Sequence, residues 1–313
     1  MIEPYLNSLN IDALKPLSGF HNTIYEGMHD QTPIVIRVSD RRTQADIQEE
    51  VDVLNRMKGE APVAKPHAVD GAYVKAHEGR IYAFFNKVKG KQWHETTLTD
   101  EVHFNAGRAL GTLHASLMRE KAVRKASYDE HPDIQLLKGL NKRYDQAIDD
   151  VLYTLASYGH APSEYGLIHG DYLFSNLIYR GEDVTIIDFD DMEHGYYLYD
   201  IAVYLFYLLL GGNPAKMDIE ANIEVFKHFI RGYLSANDTV HLDFTKIQSM
   251  FRLRQLKLLA TIKKKFAPEN LGPWQKAYIA LCEDQMENGR VFTPIPYQTL
   301  YEEVRRTMEE GRS

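Results

Sequence analysis

The chain has 313 residues, 44% of them hydrophobic and 26% charged, with a formal net charge of −8. That length and mix belong to a globular chain large enough for about two lobes, and the acidic balance speaks against a general nucleic-acid binder. Cys282 is the single cysteine, so no intrachain disulfide can form, which fits a reducing cytoplasm. The start, Met1-Ile2-Glu3-Pro4, lacks the basic and apolar regions of a signal peptide. The longest apolar run, 201–210, is too short to span a bilayer. A cytoplasmic chain with neither a membrane nor a nucleic-acid partner is expected.

Strands are predicted over 13–17, 23–25 and 33–38, with Gly19 and the pair Asp30-Gln31 in the turns. A helix over 43–58 opens on Thr43 and Asp46, spaced as a capping box. Segments 71–76 and 80–88 form a hairpin about Glu78-Gly79. The run 84–90 leaves an apolar strand and turns polar and glycine-containing. Beyond it helices dominate. Over 100–118, Val102, Ala106, Leu110, Leu113 and Leu117 keep the helical period. Further helices are predicted over 134–157, 198–210, 219–234, 244–266, 274–288 and 297–308. The basic stretch from Arg252 to Lys265 is assigned to the solvated face of an amphipathic helix. Tyr196, Tyr197 and Tyr199 are assigned to the core. Thirteen histidines are scattered without metal-ligand spacing.

One segment interrupts the helical pattern and carries chemistry. An apolar strand, 165–168, runs into His169-Gly170-Asp171, and Asn176 follows five residues after Asp171. Two strands, 177–179 and 184–187, then flank the turn at 180–183, and Asp188-Phe189-Asp190 closes the second. Phosphoryl transfer from a magnesium nucleotide needs this inventory: a carboxylate to orient a hydroxyl and two oxygen ligands for a hard cation. Asp171 suits the base, and Asn176 and Asp188 suit the metal ligands. His169 is read as a buried histidine holding the loop backbone. Tyr172, Asp190, Asp191 and Glu193 flank the metal ligands and are candidates for the acceptor or for a second Mg²⁺. For Asp190 both readings stay open. The surplus of acid tilts the acceptor toward an amino alcohol, hydroxy amino acid or amino sugar.

In the first lobe, Arg37 alternates out of the apolar strand 33–38, which by itself reads as an exposed strand cation. On the helix, Ile47, Val51 and Leu54 set the apolar face. At about 100° per residue, Glu50 falls beside that face and Glu49 opposite, so Glu50 is the acid that faces Arg37. Leu17 to Thr23, with Ser18 and Gly19, lies between two predicted strands and by itself reads as a hairpin turn.

These residues together resemble the aminoglycoside phosphotransferase and choline kinase superfamily, whose His-Gly-Asp loop matches 169–171. Asp188 to Asp191 with the later Tyr199-Asp200 is most similar to the branch of type II homoserine kinases and stress-response kinases. The resemblance implies an α+β, protein-kinase-like fold of two lobes. The small one, 1–88, is an antiparallel sheet with one helix, and the large one, 89–313, is mainly helical. It implies ATP and Mg²⁺ as cofactors and a small-molecule hydroxyl as acceptor. Asp171 is then the base, Asn176 and Asp188 the magnesium ligands, and Asp200 a brace for the catalytic loop through backbone hydrogen bonds. Arg37, Glu50, Ser18, Gly19, Phe85 and Lys87 would contact the nucleotide, the last two from the 84–90 hinge. Arg37 departs from the family's usual lysine, keeping the charge with a different reach. A serine/threonine protein kinase and a non-catalytic nucleotide-binding protein are the alternatives. Against the first stands the missing Asp-Phe-Gly and Ala-Pro-Glu pattern.

Overall fold

The computed structural model describes residues 2–17, 22–57, 59–120, 123, 125–130 and 132–311. In chain order the first elements are α1 (Ile2–Ser8), β1 (Ile11–Leu17), β2 (Thr23–His29), β3 (Thr32–Ser39), α2 (Gln44–Arg56), β4 (Val74–His77) and β5 (Arg80–Asn86). Helices α3 (Asp100–Leu117), α4 (Pro132–Leu137) and α5 (Lys142–Ser157) follow. Short strands β6 (Tyr165–Ile168), β7 (Leu177–Arg180), β8 (Asp183–Ile186) and β9 (Glu193–Tyr196) come next. The chain ends in α6 (Tyr197–Leu210), α7 (Ile219–Ala236), α8 (Ile247–Lys265), α9 (Pro273–Glu287) and α10 (Tyr297–Glu310). Among the described residues no helix is long and apolar enough to cross a membrane.

Two compact units form, and the division does not follow the chain. The first holds Met1–Thr97, Glu120–Val123 and Ser175–Asp190; the second holds Leu98–Arg119, Arg124–Phe174 and Asp191–Ser313. The first unit is built on a five-stranded sheet ordered β1-β2-β3-β5-β4, antiparallel at every pairing. Asp30 and Gln31 both take positive φ in the two-residue turn between β2 and β3, the geometry that matches strand twist. Alternation along β3 and β5 sends Ile34, Ile36, Val38, Tyr82 and Phe84 into one core with Leu6, Ile11 and Val69. Ala83 on the other face meets Ile47 and Val51 of α2. Thr43 and Asp46 close the capping box that starts α2. The β7–β8 hairpin joins this unit through backbone bonds, Ala64 N–H to Ile186 O at 2.9 Å and Lys91 N–H to Tyr179 O at 2.8 Å.

In the second unit, α3 and α7 cross in close contact. A Cβ at Gly107 would come within 1.8 Å of the Phe229 carbonyl, and one at Gly232 within 1.8 Å of that of Phe104. The helix expected over 134–157 is instead two. Gly139 takes φ +80°, and Asn141 caps α5 by accepting from Tyr144 N–H at 3.0 Å. Strand β9 is not among the strands that the sequence predicts. It pairs with β6 so that Ile168 faces Glu193.

Candidate active-site residues

The turn after β6 carries Asp171, and its backbone is fixed from behind. Asp200, near the start of α6 and fully buried, accepts from the N–H groups of His169 and Gly170, each at 2.8 Å. His114 Nε2 lies 3.0 Å from the same carboxylate. Gly170 sits at φ +81°. A Cβ there would fall 2.1 Å from the Asp191 carbonyl, so both conformation and space require glycine at the centre of His-Gly-Asp. His169 is buried, with Nδ1 accepting from Asp171 N–H at 3.3 Å. Tyr172 is fully enclosed, its hydroxyl donating to the Ala106 carbonyl at 2.7 Å.

The side chain of Asp171 meets a cation that the sequence reading had placed in solvent. Arg254 Nη2 donates to Asp171 Oδ1 at 2.5 Å and to the Tyr207 hydroxyl at 2.6 Å. Its guanidinium lies 4.9 Å from the centre of the Tyr207 ring. Three residues on, Lys257 Nζ donates to Glu193 Oε1 at 2.6 Å and lies 4.9 Å from the Tyr199 ring centre. Both cations are buried. Burial opposes charge on Arg254, yet Tyr207 and Asp171 hold its pKa well above the usual arginine value. Burial likewise opposes the Lys257 ammonium, and Glu193 outweighs it and raises its pKa. Burial pushes the Tyr207 hydroxyl up to about 12 against the pull of Arg254.

Two corrections follow. The stretch 252–265 is solvated only at its end, where Lys263, Lys264 and Lys265 are exposed; elsewhere α8 is buried on most of its circumference, and Arg254 and Lys257 point inward with it. Part of the acid around Asp171 is also answered by cations: Arg254 pairs with Asp171, and Lys257 with Glu193. A signal was present in Arg254-Gln255-Leu256-Lys257-Leu258-Leu259-Ala260. Cations set in a nearly continuous apolar run must find acidic partners inside the fold.

In the first unit the β7–β8 ladder ends beside Asn176 and Asp188. Ile187 N–H donates to Asn176 O at 3.0 Å, so the two residues flank the last backbone bond of the hairpin. Asp188 adopts φ +62°, a left-handed conformation that costs an aspartate about 1 kcal/mol or more. Its side chain is half exposed. Amide and carboxylate oxygens on neighbouring positions suit a hard divalent ion. Among the described residues no group of three or more His, Cys, Asp or Glu is placed to hold a metal ion.

The same unit gathers a charged network around β3. Arg37 Nη2 donates to both Glu50 oxygens at 2.9 and 2.8 Å, and Glu50 is fully buried. Arg37 Nη1 reaches to 3.9 Å from Asp188 and 3.8 Å from Asp190. Arg42, which the sequence reading passed over, donates to Glu50 at 3.0 Å and to Asp190 Oδ1 at 2.6 Å. Asn22 Nδ2 donates to Asp190 Oδ2 at 3.1 Å. Burial alone would raise the Asp190 pKa, but Arg37 and Arg42 bring it below the carboxylate range. Phe85 lies under Arg37, 5.5 Å from ring centre to guanidinium carbon. Lys87 stands at the end of the sheet, paired with Glu26 at 2.7 Å. Ser18 and Gly19 lie outside the described residues.

A model of the phosphotransferase enzyme family matches residues 13–241. The chain is 24% identical over 306 residues to amicoumacin kinase of Bacillus subtilis (strain 168), covering 92% of this chain and 91% of that one. It is 26% identical over 290 residues to stress response kinase A of Escherichia coli (strain K12), covering 86% and 84%. Among solved structures, the fold is similar to amicoumacin kinase hAmiN in complex with AMP-PNP, Ca²⁺ and Ami. That match has a TM-score of 0.86 at 20% identity, over 96% of this chain and 97% of that one. A microcompartment-associated aminopropanol kinase matches with a TM-score of 0.73 at 24% identity, over 93% and 99%. The two-unit α+β architecture is therefore the kinase-like one that the motifs imply, and the chain, an enzyme of the kinase class, belongs to the phosphotransferase enzyme family.

Proposed function

We propose that this enzyme moves the γ-phosphoryl group of ATP, with Mg²⁺, to a hydroxyl of a small molecule. The observation that carries the reading is the His169-Gly170-Asp171 turn, its main chain pinned by Asp200 and its carboxylate held on α8. Asp171 is the base. The acceptor oxygen forms a new bond to the γ-phosphorus, and the bond from phosphorus to the bridging oxygen breaks with its electrons left on ADP. The hydroxyl proton passes to the Asp171 carboxylate. Asn176 and Asp188 are assigned as the ligands of a Mg²⁺ that neutralises phosphate charge when bound. Arg37, oriented by Glu50, faces the phosphates, and Phe85 and Lys87 belong to the segment beside the adenine. Residues 1–88 are the nucleotide lobe in this reading, and 89–313 supply the base and the acceptor contacts.

Asp190 is assigned a supporting role, since Arg42 and Asn22 already engage its two oxygens. Glu193 and Tyr172 are enclosed and committed to Lys257 and Ala106, which leaves Asp191 from the original acceptor set. An amino alcohol, hydroxy amino acid or amino sugar remains the proposed acceptor class. Its support is now the fold relative named for aminopropanol rather than the local charge.

A panel of hydroxylated metabolites and serine-containing peptides, screened with magnesium and ATP for ADP release, tests the proposal. A small amino-bearing alcohol is expected to accept phosphate and the peptides are not. Asp171→Asn should leave ATP affinity within about twofold and lower kcat at least about 10³-fold. Undiminished turnover in that variant removes Asp171 from the chemistry.

A further inference from the structure

The backbone bonds from Asp200 fix His169 and Gly170 but leave both side-chain torsions of Asp171 undetermined. A base must hold its oxygen within a fraction of an ångström of the reacting hydroxyl, and a misplacement of about 1 Å can cost about 100-fold in rate. Arg254 touches the carboxylate directly, at 2.5 Å.

We propose that Arg254 is a positioning residue for phosphoryl transfer: it fixes the Asp171 carboxylate in the orientation that receives the acceptor hydroxyl. The proposal rests on Asp171 being the base in the reaction proposed above. Three features of the site carry it. The guanidinium is over-determined, since one nitrogen spans Asp171 and the Tyr207 hydroxyl while the plane lies over the Tyr207 ring. A guanidinium can lay its flat face on the ring while one nitrogen donates twice, so stacking adds to the charge contact. Second, Arg254 Nε is buried and finds no hydrogen-bond partner among the described residues. An apolar side chain of similar volume would avoid that penalty, so stability alone does not account for an arginine here.

Third, the arrangement is repeated one turn along α8. Lys257 holds Glu193 over the Tyr199 ring, and Glu193 is the β9 partner of Ile168 at the end of β6. Helix α8 is thus fastened at two points to the end of the ribbon from which Asp171 projects. Asp200 on α6 sets the main chain of the loop, and Arg254 on α8 sets its side chain.

The test uses the full-length enzyme with the acceptor found in the screen. Arg254→Met is expected to lower kcat about 100-fold with KM for ATP within about twofold. Arg254→Lys, which keeps a charge and volume in place, should recover about tenfold of that loss. Added guanidinium ion should partly restore Arg254→Ala, a recovery that a folding defect would not show. In an Asp171→Asn background, Arg254→Met should cost less than about threefold, because its effect passes through the carboxylate. Equal losses in the wild-type and Asp171→Asn backgrounds overturn the proposal, as does a kcat within threefold of wild type in Arg254→Met. Absence of transfer to any acceptor by the wild-type enzyme is a separate result. It overturns the function reading and this inference with it.

Discussion

His103 lies buried on α3 with Nδ1 2.9 Å from the Tyr204 hydroxyl. Burial lowers its pKa to about 4, against a smaller upward pull from Asp100 and a downward one from His228. The native state therefore keeps this ring neutral where the unfolded chain, with an ordinary histidine near 6.5, takes up a proton. Stability is unaffected above that ordinary value and falls as pH drops from about 6.5 to about 4, by at most about 3 kcal/mol. His103→Asn should flatten that limb in urea titrations at a series of pH values. A wild-type limb of unchanged slope in the variant rejects the assignment. Other residue-scale features could be read without coordinates. The 100° rule that turns Glu50 inward needs only the helix, and the Arg37–Glu50 pair forms. Arg254 could not be assigned that way, because its partner stands 83 positions earlier in the chain.

Elements whose signals are local matched their expected positions within a few residues. The capping box of Thr43 and Asp46, the Glu78-Gly79 hairpin and the periodic α3 need no neighbour to declare themselves. Elements defined by their surroundings did not. Strand β9 exists because β6 offers it a partner, and α8 reads as amphipathic only until burial on most sides shows otherwise. The crossing of α3 and α7 gives an element-scale prediction. Gly232→Ala would force a Cβ against the Phe104 carbonyl, so the helices must part, at a cost of about 3 kcal/mol. Gly212→Ala, where a Cβ meets nothing within 4 Å, should change the urea midpoint little. Equal midpoints for the two variants would contradict the close approach.

Across the whole molecule, the chain sorts itself into two units that do not respect sequence order. The Ser175–Asp190 segment, with Asn176 and Asp188, groups with the sheet-based unit, and Asp171 with the helical one. If Asn176 and Asp188 hold the magnesium of a bound nucleotide, ligand at 100 times its Kd should stabilise the protein by about 3 kcal/mol. Thermal unfolding should show that gain lost when magnesium is chelated or Asp188 is changed to Ala. An equal shift in Asp188→Ala would exclude it from the metal site. The sequence by itself determined the family and the kinase class, because short motifs keep their chemistry and spacing wherever the chain is folded. Only the tertiary structure decided the charge around Asp171, since Arg254 and Lys257 reach Asp171 and Glu193 from a distant helix. Charge balance in a folded interior depends on which segments meet, and no local spacing encodes that.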